Sequence, residues 1–367
     1  MVESPAANRP RADDKFASIL GRLIDFYGLG ADADRFVQAF DAITRDWRGM
    51  GLERLDPSFS AINGNGIPLQ YSVSLGGRPR CLRLLSEVGV PGTSMVERLR
   101  LSSYRLRELV ALLNLQGAVP DVNRVFAELF PHDPQLVEHW TGGIGMALAA
   151  AAGYGIRLRL YLNQRWGGLG ERYRRISRVL ALLGRRHSLA EWIRLADVVS
   201  AAAVPFGVSV DMLNAGVGRF KIYFAMDEIN SDYLRSLLSR LGLAHRTSVV
   251  DGFIERFEVS RRHPRPWCLL PSLEFPEGTE EPVGFKLDVS FNHLQTSDAW
   301  LDEAITDFVT GLSIDLMEYR SVLAALTEDS LSRDAVQLLQ YGGLGFDDQA
   351  NVRFNVYLAP ASLLRPG

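Results

Sequence analysis

Cysteine is scarce in this chain: two among 367 residues, Cys81 and Cys268, are too few for a disulfide framework or a thiolate metal site. Both read as packed thiols, which fits a reducing, cytoplasmic compartment. The six histidines show no ligand spacing, and no Asp-Asp-x-x-Asp cluster occurs anywhere, so no motif calls for a bridging divalent metal. Charge of either sign is barely in excess, since 40 Lys and Arg stand against 43 Asp and Glu. There is thus no global field for nucleic acid or an anionic membrane, and any anion site has to be a local gathering of cations. Long apolar runs are also missing. The stretch 142–155 is apolar but spans only 14 residues and is rich in glycine, too short for a spanning helix. Met1 to Lys15 has no apolar core of the secretory kind, and residues 1–14 read as a disordered leader to a single domain over 15–367.

What is present is a phased strand. Arg219-Phe220-Lys221-Ile222-Tyr223-Phe224 puts Arg219, Lys221 and Tyr223 on one face and Phe220, Ile222 and Phe224 on the other. A half-buried strand with its polar face in water would show the same alternation. The phase recurs, however, in Arg157-Leu158-Arg159-Leu160-Tyr161 and Arg353-Phe354-Asn355-Val356-Tyr357, and more loosely in Phe285-Lys286-Leu287-Asp288-Val289. Solvent exposure does not require such repetition.

Taken in order, the chain reads as helices over 16–27 and 32–47, then strands over 68–75 and 80–88 about Gly76-Gly77-Arg78-Pro79. Helical stretches at 94–114 and 121–140 precede a second hairpin, 144–151 with 156–164. Helices at 170–183 and 189–201 precede a third, 206–213 with 218–225. Helices at 231–241 and 247–257 precede a fourth, 268–275 with 283–291, and helices at 298–312 and 314–326 a fifth, 335–342 with 351–359. The second strands align on Leu82, Leu158, Phe220, Phe285 and Phe354, at steps of 76, 62, 65 and 69 residues. Such a period marks a repeated unit of one hairpin and two helices. If ten antiparallel strands close, one face packs under helices and the other lines a lumen. Its inward positions would carry Arg83, Arg157 or Arg159, Arg219, Lys221, Lys286 and Arg353. No packed core accepts these unpaired, so the lumen is wet and holds an anion.

These residues resemble a known family, the dimethylallyltryptophan-synthase type of aromatic prenyltransferase. The likeness runs over roughly 60–360. It rests on Pro68 to Ser74 followed by Cys81-Leu82-Arg83, on Asp211 with Arg219 to Tyr223 eight residues later, on Leu269 to Phe275 with Phe285-Lys286, and on Val352 to Pro360. The resemblance implies the α/β fold of that family, a closed ten-stranded antiparallel barrel of five hairpins ringed by α-helices (the ABBA, or prenyltransferase, barrel). It implies an enzyme moving a dimethylallyl or longer prenyl group from its diphosphate to an aromatic acceptor, with no metal and no other cofactor. The partners it implies are the prenyl diphosphate and an aromatic small molecule or peptide, with neither nucleic acid nor membrane. Carried over by position, Arg83, Arg159, Arg219, Lys221 and Lys286 hold the diphosphate, Arg159 standing where a lysine is usual. Tyr161, Tyr223 and Tyr357, with Asn355, shield the allyl cation.

Two positions depart from the family pattern. Gln70 replaces a glutamate that partners the acceptor N–H, and Asp288 replaces a shield tyrosine. The acceptor is therefore an indole in a secondary metabolite or peptide, or alternatively a phenol, a naphthalene-type ring or another peptide side chain; a barrel that binds diphosphate without turnover is the competing class. With a neutral amide at 70, proton removal passes to water, to a diphosphate oxygen or to Asp288, which is either that base or an ion-pair partner of Lys286. Trp140, Trp166 and Trp267 either pack or line the acceptor pocket.

Overall fold

The computed structural model describes residues 12–48, 60–77, 79–90, 92–131, 133–137, 144–259, 267–277, 283–294, 296–327, 338–346 and 351–360. Period-two alternation yields five hairpins: β1 (Leu69–Leu75) with β2 (Leu82–Glu87), β3 (Gly145–Ala151) with β4 (Gly155–Asn163), β5 (Val204–Leu213) with β6 (Gly216–Ala225), β7 (Leu269–Phe275) with β8 (Gly284–Ser290), and β9 (Leu339–Phe346) with β10 (Val352–Leu358). Each strand pairs antiparallel with its chain neighbours, and β1 also pairs with β10, so the sheet is a closed barrel. Helices come in pairs, one pair before each hairpin: α1 (Ala12–Tyr27) and α2 (Ala33–Arg48), α3 (Met95–Leu113) and α4 (Val119–Leu129), α5 (Leu169–Leu182) and α6 (Arg186–Ser200), α7 (Ser231–Arg240) and α8 (Thr247–Arg256), α9 (Asp298–Gly311) and α10 (Met317–Thr327). No helix among the described residues is long and apolar enough to cross a membrane.

The helices cover the apolar outer face of the barrel. Leu82, Leu158, Phe220, Phe285 and Phe354 all lie there, none more than 2% exposed. Phe253 of α8 and Phe308 of α9 meet Phe354 of β10 with ring centroids 6.0 and 5.6 Å away, and Trp192 of α6 lies over Phe224 of β6 at 6.2 Å. Truncating one such ring to alanine costs about 3–5 kcal/mol.

Three elements depart from the sequence expectation by four residues or more. α1 begins at Ala12, inside the stretch read as a leader, whose residues 1–11 lie outside the described ones. The stretch 121–140 does not continue as one helix. α4 stops at Leu129, and a short 3-10 turn covers Pro134–Val137, because Pro131 and Pro134 cannot donate to a continuing helix. The fifth hairpin is the largest change: its first strand runs over Leu339–Phe346 and not 335–342, of which 335–337 lie outside the described residues. Gly342, Gly343 and Gly345 look like turn residues but sit within β9 because neighbouring side chains fill the space. A Cβ on Gly342 would stand 3.3 Å from the Phe354 ring, and one on Gly343 would stand 2.8 Å from Lys286 Nζ.

Candidate active site

Inside the barrel, small and large side chains alternate by strand. The first strand of each hairpin turns mostly short groups inward: Ser72 and Ser74 on β1, Ala147 and Ala149 on β3, Ser209 on β5, Ser272 on β7, Gly343 and Gly345 on β9. The second strands turn long ones inward: Arg83 on β2, Arg157, Arg159 and Tyr161 on β4, Arg219, Lys221 and Tyr223 on β6, Lys286 on β8, and Arg353, Asn355 and Tyr357 on β10. Registry places short opposite long, as in Ala149↔Arg83, Ala147↔Arg159, Ser209↔Lys221, Ser272↔Lys286 and Gly345↔Arg353. A guanidinium or phenol thus extends over its neighbour without a clash. All of these residues except Ser209, Ser272 and Gly343 line a cavity of about 590 Å³ that reaches the hairpin turns, where Pro79, Tyr154 and Glu277 rim it. A volume of this order holds a small-molecule ligand pair.

The cations lie toward the hairpin turns. Two carboxylates hold part of the set in place. Asp211 faces Arg159 across the β4–β5 ladder in a two-point ion pair, the second contact being 3.0 Å, and it also stands 3.4 Å from Arg219 Nε. Glu274 accepts from Arg219 Nη1 at 2.6 Å and lies 3.9 Å from Lys221 Nζ. Arg83, Arg157 and Arg353 pair with no carboxylate among the described residues; Arg83 Nε instead lies 2.8 Å from the Cys81 sulfur, and Arg353 donates to the Phe346 carbonyl at 3.3 Å. Burial pulls the Lys221 ammonium down to about 7, helped by the charge of Lys286 and opposed by Glu274. For Arg159, burial acts downward, but Asp211 and the hydroxyls of Tyr161 and Tyr223 outweigh it and hold the guanidinium well above its ordinary range. The lumen is therefore cationic at one end and short of counter-charge, which favours an anion with several negative oxygens.

Deeper in the barrel the cations give way to phenols. Lys221 Nζ sits 5.2 Å from the Tyr223 ring centroid, and Lys286 Nζ sits 4.4 Å from that of Tyr357. The Tyr161 and Tyr223 rings lie 5.8 Å apart, and Tyr341 stands edge-on to Tyr357 at 6.0 Å. Burial pushes the Tyr223 and Tyr357 phenols well above the ordinary range, so these rings are neutral and offer π faces to a cation. Lys286 contacts both the Asp288 carboxylate and the Tyr357 hydroxyl. Asp288 is buried against Lys286 and is not among the residues that line the cavity. Gln70 lines the cavity from β1 and donates through Nε2 to Asn63 Oδ1 at 2.9 Å.

The sequence reading brings together Gln70, Arg83, Arg159, Arg219, Lys221, Lys286, Tyr161, Tyr223, Asn355 and Tyr357 around one cavity, with Asp288 behind it. It missed Glu274 and the structural part of Asp211, although Ser272-Leu273-Glu274 and Ser209-Val210-Asp211 alternate in the same way. It also missed Asn63, Arg165 and Phe206, which come from residues before β1, after β4 and early in β5. Arg165 lies over the rings of Trp267 and Phe206, 4.6 and 5.4 Å from their centroids, at the ends of the strands remote from the hairpin turns. Trp267 therefore stacks with a cation, while Trp166 packs under Arg175 at 3.7 Å; Trp140 lies outside the described residues. No group of three His, Cys, Asp or Glu side chains among the described residues is placed to hold a metal.

No protein-family model matches the chain, and no curated protein matches it by sequence. Solved structures match it in fold. The 5-dimethylallyltryptophan synthase of Streptomyces coelicolor superposes with a TM-score of 0.78 at 19% identity, covering 98% of this chain and 100% of that one. The 6-dimethylallyltryptophan synthase of Micromonospora olivasterospora, solved with DMASPP and Trp, gives 0.79 at 20% identity over 97% of this chain and 99% of that one. AnaPT from Neosartorya fischeri gives 0.73 at 14% identity, with 96% and 94% covered. The chain has the ten-stranded antiparallel barrel of these proteins, the fold that the hairpin count and the resemblance imply.

Proposed function

We propose that this protein is an aromatic prenyltransferase that moves a dimethylallyl or longer prenyl group from its diphosphate to an aromatic acceptor. One observation carries the reading: cations and tyrosines share the inward face of β4, β6 and β10, with the cations nearer the hairpin turns and the tyrosines two or more residues deeper. Breaking the allylic C–O bond heterolytically requires stabilisation of the departing diphosphate and protection of the carbocation from water. Arg83, Arg159, Arg219, Lys221 and Lys286 meet the first requirement as fixed charges in a site of low dielectric. Tyr161, Tyr223 and Tyr357, with Asn355 beside Tyr357, meet the second through ring faces worth roughly 0.5–2 kcal/mol each. The acceptor ring attacks the exposed allyl carbon and then loses a proton to restore aromaticity. Gln70 is a neutral amide and Asp288 is tied to Lys286, so the proton passes to a diphosphate oxygen or to water.

The donor set bears on the metal question. Seven lumenal cations can neutralise a diphosphate, and the lumenal carboxylates Asp211 and Glu274 are already engaged by arginine and lysine. Turnover without a divalent ion is the reading this charge distribution supports. The acceptor class stays broad, covering an indole in a small molecule or peptide, a phenol or a naphthalene-type ring. Purified protein incubated with dimethylallyl diphosphate, excess chelator and a panel of such acceptors should give products heavier by one prenyl unit. Absence of product from every acceptor, with pyrophosphate still bound, would point to a non-catalytic diphosphate-binding barrel; product that appears only when magnesium is restored would overturn the cationic-cradle reading.

A further inference from the structure

The residues before β1 fold against the barrel and end in a hydrogen-bond network around the one amide that faces the cavity from that strand. Asn63 is buried, and its Nδ2 donates to the carbonyls of Ile67 at 2.6 Å and Leu69 at 2.8 Å. Those two acceptors determine which end of the Asn63 amide is nitrogen, because the flipped amide would set its oxygen against two carbonyl oxygens. Asn63 Oδ1 is therefore left as an acceptor, and the atom of Gln70 that meets it 2.9 Å away is the amide nitrogen. The same nitrogen reaches the Ile62 carbonyl at 3.4 Å. Both Gln70 N–H bonds are thus directed at fixed acceptors, and Gln70 Oε1 is left without a partner among the described residues, on a side chain that lines the cavity.

The segment that carries Asn63 is itself anchored. Ser60 Oγ accepts from the backbone N–H of Asn63 at 3.1 Å, the Glu87 carboxylate from that of Ala61 at 3.1 Å, and Gln340 Oε1 from that of Gly64 at 3.0 Å. Gln70 cannot turn its amide over unless this arrangement is broken.

We propose that Asn63 is a positioning residue that fixes the chemical face Gln70 presents: a carbonyl oxygen, which accepts a hydrogen bond and neither donates one nor takes a proton. On the prenyltransferase reading, this selects acceptor rings that carry an N–H or O–H group, held through that hydrogen and not deprotonated by residue 70. The network also excludes a carboxylate at this position. A Gln70→Glu side chain would face Asn63 Oδ1 and the Ile62 carbonyl, two acceptors, and would be held in its protonated form.

The first test needs no activity. With glutamine labelled selectively with nitrogen-15, the Gln70 side-chain amide is identified by its loss in Gln70→Leu and its proton exchange with water is measured in free protein. Asn63→Ala should speed that exchange by about tenfold or more, and Asn63→Asp, which keeps an acceptor oxygen near Gln70, should speed it less. Exchange unchanged in Asn63→Ala would overturn the proposal. The second test compares indole with N-methylindole, and 2-naphthol with 2-methoxynaphthalene, each with dimethylallyl diphosphate. Wild type should favour the N–H or O–H member by about tenfold in kcat/KM, the size of one hydrogen bond in a desolvated pocket. Asn63→Ala should erase most of that preference while leaving KM for the prenyl donor unchanged. Faster exchange with the preference intact would overturn the role in selectivity. If wild type prenylates neither pair, it is the enzymatic reading that fails, and the exchange measurement still decides the positioning of Gln70.

Discussion

Across the hairpins the first strands turn serine, alanine or glycine into the lumen, as at Ser72, Ser74, Ala147, Ala149 and Gly345, while the second strands turn arginine, lysine and tyrosine into it, as at Arg83, Arg159, Lys221, Lys286 and Tyr357. The barrel alternates chemically around its circumference, with every second strand carrying the cations and phenols and every other strand making room for them. Where a first strand does carry a functional group, it does something different: Asp211 and Glu274 hold cations in place, and Gln70 offers a neutral carbonyl. Long cations require small neighbours, and a lumen with several like charges requires carboxylates spaced among them to offset their repulsion.

The difference between the strands can be broken most severely on the second of them. Lys221→Ala removes a buried cation aimed into the cavity and should lower kcat/KM for the prenyl donor by about 10²-fold, roughly 3 kcal/mol of transition-state stabilisation. The unfolding midpoint in denaturant should stay put, because the outer face of β6 is untouched. Steady-state kinetics showing intact turnover would remove β6 from the active site.

A first-strand change tests the complementary half. Gly343→Ala would place a methyl group against Asp288 Oδ1 and within 2.8 Å of Lys286 Nζ, so Lys286 has to move. Its expected effect is a rise of about tenfold in donor KM with the barrel intact by circular dichroism; an unchanged KM would show that Lys286 does not contact the donor. Asp288→Asn is expected to act in the same direction and somewhat less, since it leaves Lys286 buried without its counter-charge. Turnover at saturating donor should stay within about threefold of wild type. A loss near 10²-fold at saturation would instead make Asp288 the base.

The smallest effect expected is on pH dependence. Burial and the Lys286 charge pull Lys221 down to about 7. Below that pH the free protein meets the diphosphate with Lys221 charged; above it the lysine is neutral, and binding has to take a proton back from water. Donor affinity should therefore fall as pH rises past about 7, by no more than about tenfold per unit. Lys221→Arg, charged throughout, should flatten the fall, as read by titration calorimetry in two buffers of different ionisation enthalpy.

The second strands were legible in the sequence because period-two alternation between apolar and cationic residues survives any small error of boundary. Arg219, Lys221 and Tyr223 declare their face whatever the strand limits. First strands are harder to read, since serine, alanine and glycine carry no phase. In β9 the glycines that accommodate Lys286 and Asp288 resemble a turn, and the strand was displaced toward the N-terminus for that reason. Asn63 and Arg165 lie outside the strands altogether. Their roles depend on how the ends of the chain segments fold back over the barrel, which no local pattern states.

The most direct measurement is calorimetric binding of inorganic pyrophosphate in excess chelator to wild type, Lys221→Ala and Gln70→Leu. If second-strand cations form the diphosphate site and β1 faces the acceptor, Lys221→Ala should weaken binding by about tenfold or more while Gln70→Leu stays within about twofold of wild type. Equal losses in the two variants, or binding to wild type that appears only with added magnesium, would contradict that division of the lumen.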